Sequence, residues 1–107
     1  MDRKKLEAML AAGSDNVMLR YALASLLIKQ DEPTQAIEHL EIALEQDSAH
    51  SASWKLLGKT LAATGQSERA VEVYLQGISI AEARGDIQAA KEMNVFLKRA
   101  RRDLSAD

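Results

Sequence analysis

Residues 51–84 read SASWKLLGKTLAATGQSERAVEVYLQGISIAEAR, and residues 17–50 read VMLRYALASLLIKQDEPTQAIEHLEIALEQDSAH. Laid over one another, these 34-residue stretches share few identities but one packing pattern. Leu23 meets Leu57, Ala24 meets Gly58, Leu27 meets Leu61, Ala36 meets Ala70 and Ile37 meets Val71. Leu40 then meets Tyr74, Ala43 meets Gly77, and Leu44 meets Ile78. Small pairs with small and bulky with bulky, as two copies of one packing unit require.

Within each copy the apolar spacing is helical. Leu19, Ala22, Leu23, Leu26 and Leu27 form one stripe, and Ala36, Ile37, Leu40, Ala43 and Leu44 a second. Between them, Pro33 suits the first turn of a new helix, with Asp31 or Glu32 as its cap. In the second copy Gly65 suits a left-handed helix end and Ser67 an N-cap. Each copy therefore reads as a helix hairpin.

The pattern Trp54-x-x-Leu57-Gly58-x-x-Leu61, followed by Ala70-x-x-x-Tyr74, resembles the tetratricopeptide repeat (TPR) family. The first copy departs from it with Arg20 at the Trp position and Ala24 at the Gly position. Ser48 and Glu82 stand where the family has Pro. The resemblance covers residues 17–84, about two thirds of the chain.

The flanks extend the plan. Residues 1–16 carry a short helix with Leu6, Met9 and Leu10, placed to cover the first hairpin as half of a truncated repeat. Residues 85–107 carry a terminal helix with Ile87, Ala90, Met93, Leu97 and Ala100 on one side, opened by Gly85 and Asp86. The expected fold is a single all-α domain of about six helices, a right-handed superhelical segment of hairpins with repeats at 17–50 and 51–84.

Composition narrows the function. The 107 residues include only 5 Gly and 1 Pro, which disfavours a sandwich or barrel. Cysteine is absent, so disulfides, thiolate nucleophiles and Cys-ligated zinc are excluded. A net charge of −2 and 4% aromatics favour neither a nucleic-acid backbone nor a base-stacking platform. No apolar run spans a bilayer, and the stretch after Arg3-Lys4-Lys5 is too short and polar for a secretory signal. A cytoplasmic protein without membrane or nucleic-acid partners is expected.

Catalytic motifs fail on inspection. Gly58-Lys59-Thr60 lacks the first glycine of a phosphate loop, since Ser53 stands there, and it falls mid-helix. Ser14-Asp15-Asn16 reads as a turn and cap, because the other elements of a serine β-lactamase are missing. His39 and His50 fall on different elements, the first expected on the surface and the second at a helix start; neither has a metal-ligand spacing. Glu38, Glu41, Glu45 and Asp47 read as a solvated helix face. No catalytic residue, cofactor or metal is expected.

The TPR resemblance implies a concave groove lined by the first helix of each repeat. The matching positions are Met18, Tyr21, Ser25, Ile28 and Lys29, then Ala52, Lys55, Lys59, Ala62 and Ala63. Turned at about 100° per residue, the terminal helix would add Lys91, Val95, Lys98 and Arg102 as one stripe beside Lys55 and Lys59. Cations near a helix C-terminus also complement its dipole, a purely structural reason for them. The family's carboxylate clamp is not matched, because Tyr21, Ser25 and Leu56 occupy its positions. The resemblance implies a non-enzymatic module, a monomer or weak homo-oligomer, that binds a protein or peptide partner, with an acidic segment expected. The alternative is a structural or assembly subunit using its convex face or end helices. An enzyme is a third, weaker alternative.

Overall fold

The computed structural model describes residues 2–106. They form α1 (Arg3–Ala11), α2 (Val17–Lys29), α3 (Pro33–Gln46), α4 (Ser51–Ala63), α5 (Ser67–Arg84) and α6 (Ile87–Ser105), with no strand among the described residues. The chain divides into two compact units, one ending at Ser48 and one beginning at Ala49.

The first unit holds α1 to α3. The Asp2 carboxylate caps α1 by accepting from the Lys5 N–H at 3.1 Å. Asn16 caps α2 in the same way, accepting from the Leu19 N–H at 3.0 Å. Leu6 of α1 is buried with Leu19 and Leu23 of α2, and Leu10, Ala22 and Leu26 pack around them. A truncation of Leu6 to Ala at such a site costs about 2–5 kcal/mol, so α1 belongs to this core rather than trailing from it. Leu23, Ala24 and Leu27 of α2 and Ala36, Ile37 and Leu40 of α3 are buried. The turn between the helices runs through Asp31 at φ +59°, a left-handed conformation that Asp tolerates, before Pro33 opens α3. Glu32 occupies the cap position of α3 without a side-chain cap bond. Its carboxylate instead pairs with Arg3, whose guanidinium also reaches Glu7 at 3.3 Å.

The second unit holds α4 to α6. Gly65 ends α4 at φ +81° and Gly85 follows α5 at φ +79°, both in the region that favours glycine. Ser67, expected as the cap of α5, is its first helical residue. Gln66 stands at the cap, with its N–H bonded to the Leu61 carbonyl at 2.8 Å. Asp86 caps α6, accepting from the Ala89 N–H at 3.3 Å. Buried Tyr74, Gly77, Ile78 and Ala81 of α5 pack in this unit with Ala89, Ala90, Met93, Leu97 and Ala100 of α6.

Two glycines set how closely these helices approach. A Cβ on Gly58 would overlap the Tyr74 ring, and one on Gly77 would lie 2.8 Å from the Trp54 Cβ. The closest neighbour of Gly58 is thus the bulky Tyr74, whose ring uses the space that the missing side chain leaves.

Candidate functional site

In the first unit, Met18 is 61% exposed and Lys29 is exposed in the last turn of α2. Tyr21, Ser25 and Ile28 are half-buried, and the Ser25 hydroxyl donates back to the Tyr21 carbonyl at 3.1 Å. A hydroxyl committed to its own helix is less available to a ligand. His39, expected on the surface, is half-buried, with its Nδ1 3.0 Å from the Arg20 guanidinium. Arginine can only donate, so His39 Nδ1 accepts and the imidazole is neutral. Burial and the Arg20 charge both hold its pKa below the ordinary 6.5. Arg20 also pairs with Asp15 at 2.7 Å, and Gln46 donates to Asp15 at 2.7 Å. Hydrogen bonds from Arg20 and Gln46 hold the Asp15 carboxyl down at about 2.

The second unit carries most of the cations. Lys55 of α4 is half-buried and pairs with Glu92 of α6 at 3.3 Å. One turn further along, the exposed Lys59 ammonium lies 5.3 Å from the centroid of the Phe96 ring. Arg99 lies 5.8 Å from the same centroid, and Phe96 stacks on Tyr74 with centroids 6.1 Å apart. Burial pushes the Tyr74 hydroxyl up to about 12, and the nearby Arg99 charge offsets part of that rise. Lys59, Ala62, Tyr74, Phe96, Arg99, Ala100 and Asp103 line an open cavity of about 140 Å³.

The α6 residues that meet α4 here are therefore Glu92 and Phe96, with Arg99 and Asp103 continuing their row. Lys91, Val95, Lys98 and Arg102 are all exposed and lie one residue around the helix from that row. Lys55 and Lys59 thus contact Glu92 and Phe96 themselves, and the stripe lies beside those two residues rather than against the lysines. The apolar arc of α6 is wider than Met93, Leu97 and Ala100 alone indicate, so the rotation of the preceding hairpins does not carry over to it. Phe96, half-buried and stacked on Tyr74, belongs to that arc. Phe96 in line with Met93 and Leu97 is the sequence signal for that wider arc, whereas Arg99 and the cavity depend on the packing angle of α6.

Among the described residues, no group of three or more His, Cys, Asp or Glu side chains is placed to hold a metal ion. No helix among them is long and apolar enough to cross a membrane.

Helix hairpins with glycine at their close approaches, Gly58 against Tyr74 and Gly77 against Trp54, define a tetratricopeptide-repeat protein. The chain belongs to that family: the tetratricopeptide repeat profile matches residues 27–93. It is 45% identical over 94 residues to a TPR repeat-containing protein of Pseudomonas aeruginosa, covering 88% of this chain and 90% of that protein. The fold matches the solution structure of a Bordetella parapertussis protein with TM-score 0.86 and 38% identity, over 100% of this chain and 93% of that one. It also matches a tetratricopeptide repeat domain protein of Salinibacter ruber, with TM-score 0.76 and 27% identity, over 80% of this chain and 87% of that one. Folds of this family generally mediate protein–protein interaction, and its members are typically not enzymes.

Proposed function

We propose that this chain is a non-enzymatic interaction module that binds an acidic peptide segment through the cationic surface of its second unit. One observation carries the reading. Lys59, Lys91, Lys98, Arg99, Arg101 and Arg102 of the second unit are exposed and form no ion pair among the described residues, five of them on α6; the first unit has only Lys4, Lys5 and Lys29 in that state, its Arg3 and Arg20 being paired. α6 alone carries five cations against two carboxylates. Cations left without partners raise the local potential and favour an anionic ligand over a neutral one. Val95, 54% exposed within this surface, offers an apolar contact. Lys55 joins the surface only when its pair with Glu92 opens. In the first unit by itself, Met18, Tyr21, Ser25, Ile28 and Lys29 are proposed as peptide contacts, to be tested by their own substitutions.

The affinity is expected near micromolar, about −8 kcal/mol, because a short extended peptide is ordered on binding. Selection from a displayed random-peptide library tests the reading. Enriched sequences should be acidic, and enrichment should fade as salt rises. Enrichment of neutral or basic sequences contradicts it.

Self-assembly through α6 is a second reading, favoured by Ile87 at 53% and Val95 at 54% exposure. Native mass spectrometry decides it: an obligate dimer supports assembly, and a monomer at all concentrations removes it.

A further inference from the structure

Resting on the acidic-peptide reading, we infer that the cavity beside Phe96 is the subsite for a single aliphatic side chain of that peptide. Its lining combines apolar surface with charge. Ala62, Tyr74, Phe96 and Ala100 are apolar or aromatic, and Lys59 and Arg99 stand within 5.3 and 5.8 Å of the Phe96 centroid. Neither cation has an ion-pair partner among the described residues. The volume, about 140 Å³, is close to the roughly 150 Å³ of an apolar cavity that holds a benzene-sized group. A leucine or valine side chain suits that size.

The charges choose the flanking residues of the occupant. A carboxylate on either side of the aliphatic residue would meet Lys59 or Arg99, whose charged groups stand over the Phe96 ring. Asp103 also lines the cavity and forms no ion pair with either cation. Its carboxylate repels an acidic ligand, so it limits how far an acidic run extends towards the C-terminal end of α6. Asp103 thus gives the subsite a signature that a general basic surface lacks: neutralising it strengthens binding.

The test uses the full chain, isotope-labelled for amide spectra, and two synthetic probes: acetyl-Glu-Asp-Leu-Asp-Glu-amide and the same peptide with Ala at its centre. The leucine probe should bind at least about tenfold more tightly, since three carbons separate it from the alanine probe and each is worth roughly fourfold when buried. Its largest shifts should fall at Lys59, Tyr74, Phe96 and Arg99. Lys59→Gln with Arg99→Gln should weaken both probes about tenfold at roughly 0.1 M salt, and far less at 1 M, where the screening length is about 3 Å. Asp103→Asn should strengthen both about threefold, and Ala62→Phe, which fills the opening, should erase the preference for leucine. If the probes bind equally well, or Asp103→Asn leaves both affinities unchanged, the subsite is overturned while acidic binding stands. If neither probe binds, the acidic-peptide reading falls with it.

Discussion

The ring of Tyr74 occupies the space that a side chain at Gly58 would need, so the two residues determine one another across the α4–α5 hairpin. Gly58→Ala gains up to about 1 kcal/mol of helix propensity, yet it drives a methyl into a fully packed ring. The overpacking, about 1–3 kcal/mol, should prevail and lower the urea midpoint. Adding Tyr74→Leu to Gly58→Ala should cost less than the two single changes summed, because one change makes room for the other. Strict additivity would show that the ring moves aside freely.

Acid should loosen the first unit in two stages. His39 is held neutral in the fold, while the unfolded chain takes its proton near pH 6.5. The stability this contributes is complete above pH 6.5 and falls as the pH drops from there to the lowered folded value. Asp15 adds a second loss between its ordinary 3.8 and about 2. His39→Gln keeps an acceptor for Arg20 and cannot titrate, so it should flatten the melting temperature between pH 7 and 5. An unchanged slope would remove His39 from the account.

Deleting α6 should unfold the second unit. A chain ending at residue 85 loses the buried Met93 and Leu97 and uncovers part of the α5 face that they cover. At about 25 cal/mol per Å², the loss of several such contacts reaches the 5–15 kcal/mol margin of a whole domain. The fragment should aggregate or lose helical circular dichroism. A soluble fragment with a cooperative melt would show that α6 is dispensable to the fold.

Reversing Lys55 and Lys59 to Glu should remove binding of an acidic peptide at low salt. Lys59 is exposed, so its reversal should leave the melting temperature nearly unchanged. Lys55→Glu sets two carboxylates together at Glu92 and should cost at most about 1 kcal/mol, as partly exposed pairs do. Calorimetry on the single and double variants separates the two effects. A partner that binds the double variant with full affinity would move the functional surface away from α4.

Residue order by itself determined the hairpins. The matched rows Leu23-Ala24-Leu27 and Leu57-Gly58-Leu61, with Pro33, Gly65 and Gly85 at the breaks, depend only on helical periodicity and backbone conformation, and both are local. The family resemblance rests on those same positions. Rotation about a helix axis is not local: one residue turns the surface by about 100°, and packing selects the angle. Only the tertiary structure therefore decided that Glu92 and Phe96, rather than Lys91 and Val95, meet Lys55 and Lys59. It likewise decided that His39 faces Arg20 across 19 residues, a pairing that no spacing rule within one helix reveals.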